Sequence, residues 1–174
     1  MTRQVPALLA RLERWSAKHR PEFVRGLLPG ASPADLDALQ AGLTVPVPEE
    51  LRELLAWHNG QSDVFTGAFV ESRYLMSSAR ILAAKQELDA GAAAGGPATA
   101  WQPTWIAFLE DDADNYLCLD TSQPEAPVRE VWHGKAEAPL AAASLKAWLL
   151  RFVTEVERGD YHEDPERGRF LHGG

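Results

Sequence analysis

TWIAFLEDDADNYLCLD, residues 104–120, sets two short apolar runs on either side of a four-residue connection, Asp111-Asp112-Ala113-Asp114. Trp105, Ile106, Phe108 and Tyr116 supply the β-branched and aromatic content of strands, and the runs are too short for helices. Two antiparallel strands joined by a polar turn are expected. APVREVWH, residues 126–133, extends them into a three-stranded meander.

Before the meander the apolar residues recur at helical spacing. Val5, Leu8, Leu9, Leu12 and Trp15 form one stripe with charges between them. Ser32 is placed to cap a second helix, with Pro33 suited to its first position, Asp35 to its positive end, and Leu36, Leu39 and Leu43 to its buried side. A third starts at Pro48-Glu49-Glu50, buries Leu51, Leu54 and Leu55 on the same side as His58, and stops at Asn59-Gly60. GAFVES, residues 67–72, reads as a short strand. Ser77 or Ser78 then caps a helix carrying Ile81, Leu82 and Leu88, which Gly91 ends. DAGAAAGGPATA, residues 89–100, reads as a loop within one domain, because the patterns on both sides need each other for a core. Ser144 caps the last helix, with Leu145, Trp148, Leu149, Phe152, Val153 and Val156 inward and Gly159 as terminator.

The order of elements predicts an α+β fold, a single domain with an antiparallel sheet, or a mixed one, and helices packed mainly on one side. Residues 1–26 are expected as an N-terminal helix packed on the domain, 27–161 as the domain, and 162–174 as a polar, loose C-terminal tail.

With 174 residues, 45% of them hydrophobic, the chain is long enough for one real core. Seventeen basic against 25 acidic residues give a net charge of −8. That balance argues against nucleic-acid binding, which needs a basic patch, and fits basic partners or solubility. The N-terminal stretch lacks the apolar run of a signal peptide, and no stretch has the length to cross a bilayer, so a cytoplasmic protein is expected.

The acids Glu110, Asp111, Asp112 and Asp114 pose the functional question. A calcium loop of the helix-loop-helix kind needs glycine at its sixth place and glutamate at its twelfth. Counting from Asp112 gives Leu117 and Gln123, and counting from Glu110 gives Asn115 and Thr121, so the pattern fails. Acid–base catalysis would need one carboxyl desolvated, whereas four acids at a hairpin tip are expected in water with ordinary ionisation. A solvated turn is the simplest reading and a partner contact the next. A second acidic patch, Glu155, Glu157, Asp160, Glu163, Asp164 and Glu166, is diluted by Arg158, Arg167 and Arg169. His58 reads as a helix-end residue rather than a base, and Cys118, the only cysteine, as a buried inert thiol. No nucleophile elbow, phosphate loop or zinc helix is present, and neither a cofactor nor a metal is expected. Trp101 and Trp132 are candidates for closing the core or lining a groove.

Three stretches together resemble the SUKH superfamily of bacterial toxin-immunity proteins and fungal cell-wall assembly regulator relatives. They are residues 27–61, ending in His58-Asn59-Gly60-Gln61; residues 105–120; and SLKAWLLRFVTEVERGDY, residues 144–161. The tip departs from the pattern, since relatives often carry glycines where Asp111-Asp112-Ala113-Asp114 stand. The resemblance implies an α+β fold, no catalytic residues, and stoichiometric neutralisation of a cognate protein toxin such as a nuclease. An intracellular regulator or scaffold acting on cell-wall assembly or a secretion system is the alternative. A hydrolase using His58 or the acidic turn is the remotest. Glu110, Asp111, Asp112 and Asp114 are then expected to face the partner.

Overall fold

The computed structural model describes residues 4–62, 66–95 and 100–173. Four helices come first: α1 (Gln4–His19), α2 (Pro21–Gly26), α3 (Pro33–Gly42) and α4 (Glu49–Trp57). Then follow β1 (Tyr74–Leu75), α5 (Ser78–Ala93), β2 (Trp105–Glu110), β3 (Tyr116–Asp120), β4 (Val128–Val131) and β5 (Leu140–Ala142). α6 (Leu145–Arg158), β6 (Tyr161–Asp164) and β7 (Arg169–His172) complete the chain.

The helix ends follow the local chemistry. Ser32 accepts from the Asp35 amide while the Asp35 carboxylate accepts from Ser32, a reciprocal capping box that starts α3. Ser77 and Ser144 cap α5 and α6 through the Arg80 and Ala147 amides. Gly159, at φ 83, closes α6 in the left-handed conformation that suits glycine. Gly91 does not end α5, which runs on to Ala93. The alanines around it are strong helix formers, and one internal glycine costs only about 1 kcal/mol. The loop expected over 89–100 is therefore helical in its first part, and residues 96–99 lie outside the described residues.

β1 to β5 form one sheet in sequence order, and every pairing is antiparallel. In β2 and β3 every residue is buried except half-buried Glu110, so the centre of the sheet is covered on both faces. α6 inserts Trp148 against Phe108, with ring centroids 6.0 Å apart, and stacks Phe152 on Trp148 at 5.3 Å. All six residues of its apolar stripe are buried. Other parts of the chain bond to both edge strands of the sheet. At β1, the Gln61 amide donates to Leu75 O (3.1 Å) and the Leu75 amide to Gln61 Oε1 (2.8 Å). At β5, Arg151 Nη1 donates to Ala141 O at 3.1 Å. An open strand edge invites pairing with other chains, and at β1 the Gln61 contacts occupy it.

Two expectations fail against long-range contacts. Residues 67–72 are not a strand of the main sheet; β1 lies at Tyr74–Leu75, and the apolar run before it pairs elsewhere. Its partner is the chain end expected to be a loose tail. β6 and β7 form a hairpin, and isolated bridges join Val70 to Arg73 and Glu71 to Phe170. Phe170 is buried, 5.1 Å from the Tyr161 ring and 6.0 Å from Trp15. Arg20, at 3% exposure, lies 3.8 Å over the Phe170 ring and 4.2 Å over Phe23. It also donates to Ala68 O and Glu163 Oε1, both at 2.7 Å.

Candidate protein-binding site

The β2–β3 turn divides its four acids into two kinds. Glu110 pairs with Tyr116 across the strands, and the Asp111 amide donates to Asn115 O at 3.1 Å to close the turn. The Asp111 carboxylate is engaged on both oxygens. Oδ1 accepts the Ala113 and Asn115 amides at 2.9 and 3.0 Å; Oδ2 accepts Asn115 Nδ2 at 3.0 Å and Ser72 Oγ at 3.2 Å. Partial burial works against its charge, but the bonds from Asn115, Ala113 and Ser72 outweigh it and hold the carboxyl below its usual range. The expectation of uniformly hydrated, ordinary acids is thus corrected at Asp111. Glu110 is also occupied: Arg80 Nε reaches its two oxygens at 2.9 and 3.1 Å, and this bonding raises the guanidinium pKa.

Asp112 and Asp114 are exposed. Asp114 is 70% exposed and lies 3.9 Å from His133 Nδ1. It adopts φ 58, in the left-handed region where glycine is easiest and where Asp and Asn are the best-tolerated alternatives. The aspartate thus takes a backbone conformation that glycine serves more cheaply. Asn115 ties the turn to the segment just after β4, its Oδ1 accepting the His133 amide at 2.8 Å.

A cleft of about 590 Å³ opens beside the turn, with Gln61, Tyr74, Ser77, Arg80, Asp112 and Asp114 among its walls. Burial, reinforced by the nearby Asp112 charge, pushes the Tyr74 hydroxyl pKa up. Gln61 brings the end of the His58-Asn59-Gly60-Gln61 stretch to the cleft wall. The Asn59 amide donates to Pro29 O (3.0 Å), and Asn59 Oδ1 accepts the Ser78 amide (2.7 Å). Gly60 has φ +87, and a β-carbon there would lie 2.6 Å from Ser77 N, so only glycine lets the two segments meet. Gln61 seals β1. No local sequence pattern marks the wall residues Tyr74 and Arg80. Gln61, directly after a helix stop and before an apolar run, was the one local signal.

The remaining candidates take structural places. His58 Nδ1 lies 2.5 Å from Leu28 O, and since a carbonyl only accepts, Nδ1 carries the proton. Its other nitrogen is 3.7 Å from Glu13 Oε1, which also accepts on its second oxygen from Trp57 Nε1. Cys118 is fully buried, and burial pushes its pKa up, away from nucleophile chemistry. Trp101 is buried and donates to Asp89 at 2.8 Å; Trp132 is 38% exposed, 4.9 Å from the Arg73 guanidinium carbon. Among the described residues no cluster of His, Cys, Asp and Glu could hold a metal, and no helix is long and apolar enough to cross a membrane.

A family model described as SMI1 / KNR4 family (SUKH-1) matches residues 30–151. No curated protein matches the chain. The matched span holds α3 to β5, the acidic turn, the cleft and the start of α6, and omits α1, α2 and the C-terminal hairpin. It also covers most of the three stretches that carried the resemblance. Because the match extends over well over half of its length, the chain belongs to the SMI1 / KNR4 (SUKH-1) family.

Proposed function

We propose that this chain is an immunity protein that neutralises a cognate bacterial toxin, such as a nuclease, by stoichiometric binding in the cytoplasm. Family membership supports a role of the immunity or cell-wall-regulator kind, exercised through protein–protein contact and generally without catalysis. The observation that carries the finer reading is the division of the acidic turn. Glu110 and Asp111 are held by Arg80, Ser72 and Asn115, and so present Asp112 and Asp114 to solvent at the mouth of the cleft. A rigid turn carrying exposed charge suits fast, steered association with a basic partner, because orientation and attraction are both set before contact. The net charge of −8 acts in the same direction at longer range. All four acids therefore belong to the proposed partner-facing surface, two as its frame and two as its contact.

The test starts from the gene neighbourhood, which on this reading encodes a large toxin. The purified pair should form a stable one-to-one complex. Replacing Asp112 and Asp114 with asparagine should slow association several-fold at low salt and flatten its salt dependence. Unchanged rates and an unchanged slope would remove this surface from the account. Absence of an adjacent toxin, with several weak partners captured instead, would favour a regulatory or scaffold role.

A further inference from the structure

The C-terminal hairpin and the acidic turn are joined through a single tight turn of the chain. Ala68 donates its amide to Gly168 O at 2.9 Å, Glu71 to Phe170 O at 2.7 Å, and Phe170 back to Glu71 O at 2.9 Å. These bonds dock β7 on the turn from Val70 to Arg73, which the Arg73 amide closes on Val70 O at 2.9 Å. Glu71 sits in that turn at φ 54. A residue with a β-carbon is disfavoured there and persists when its surroundings over-determine it. The two bonds with Phe170 do so on one side, and its ion pair with the buried Arg73 does so on the other. Immediately after Glu71, Ser72 Oγ donates to Asp111 Oδ2, the carboxylate around which the β2–β3 turn is folded.

We propose that the C-terminal hairpin is the brace of the acidic turn: docking of β7 fixes Glu71, the fixed Glu71 aims Ser72, and Ser72 holds Asp111 in the arrangement that presents Asp112 and Asp114. Its significance for recognition rests on the function proposed above, but its physical content concerns the isolated chain. The hairpin lies outside residues 30–151, the span that matches the family model.

Amide hydrogen exchange on the full-length chain, followed by NMR, tests this without a partner. Phe170→Leu keeps an apolar side chain but loosens the packing against Tyr161 and Trp15; if the Glu71 amide stays protected, Phe170→Ala replaces it. Once the Glu71 amide exchanges faster, those of Ala113 and Asn115 should accelerate by about threefold or more beyond whatever change appears at Cys118 in the sheet centre, whose amide reports opening of the whole fold. In a Ser72→Ala background the same hairpin substitution should add nothing at Ala113 and Asn115. Wild-type rates at those two amides beside a loosened Glu71 would overturn the brace, and so would equal acceleration with and without Ser72. A confirmed brace in a chain whose toxin association ignores Asp112 and Asp114 would refute the proposed function alone.

Discussion

Two acidic stretches of this chain look alike in one dimension and differ in three. In the C-terminal stretch four carboxylates are each matched to an arginine: Glu157 to Arg11, Asp160 to Arg158, Glu163 to Arg20 and Asp164 to Arg167. Two of these arginines come from the opposite end of the sequence, so the acids fasten α1 and the residue before α2 to α6 and the hairpin. In the β2–β3 turn only Glu110 has an arginine, and the backbone folds around Asp111 instead. Negative charge is thus absorbed in one place and displayed in the other. Acid count does not distinguish a fastening from an exposed charged surface; the location of the neutralising groups does.

The hardest way to break this contrast is at Phe170. Phe170→Ala should destabilise the chain by about 3–5 kcal/mol in urea denaturation, as for other fully buried aromatics. A negligible effect would mean that the end of the chain is after all a loose tail. Arg20→Ala should cost about 2–3 kcal/mol, below the usual figure for orphaning a buried charge because Glu163, at 44% exposure, can turn to water.

Asp111→Ala should cost about 1–3 kcal/mol through the loss of bonds to a charged acceptor. It should also alter the pH response. Because the folded carboxyl is held below its ordinary value near 3.8, its contribution is fully present above that value and is lost as pH falls through the folded pKa. Denaturation midpoints measured from pH 5 downward should therefore decline less steeply in Asp111→Asn than in the parent. A parallel decline would show that the turn does not favour the charged form.

The smallest effects sharpen the contrast. Asp112→Asn should change stability by no more than about 0.5 kcal/mol, since its side chain faces water. Asp114→Gly relieves the left-handed strain but adds freedom to the unfolded chain, and the net change should stay within about 1 kcal/mol. If either substitution proved strongly destabilising by thermal melting, the outward-facing pair would have to be counted with Asp111 as part of the frame.

Much of the architecture was legible because its signals are local. Ser32, Pro33 and Asp35 specify a helix start among themselves, and the stripe from Leu145 to Val156 matches the buried face of α6 residue for residue. Local signals ran out where a segment's partner is remote. Ala68, Phe69 and Val70 are apolar like a sheet strand, yet Phe69 and Val70 bond back to nearby Arg73 while Ala68 and Glu71 reach Gly168 and Phe170, about a hundred residues away. The hairpin in turn hides in a polar sequence because Phe170 is its one fully buried anchor. At the acidic turn, composition announced a turn and exposed charge correctly for Asp112 and Asp114. It could not reveal that Arg80 and Ser72 would claim Glu110 and Asp111, since neither is near them in the chain.

The burial of Cys118 has a practical consequence. As the chain's sole thiol, sealed in the middle of β3, it meets a thiol-reactive dye only when the sheet opens. Under conditions where reclosing outruns labelling, the dye's incorporation rate is proportional to the equilibrium population of the open state, and every substitution named above can be ranked for stability by it from microgram quantities.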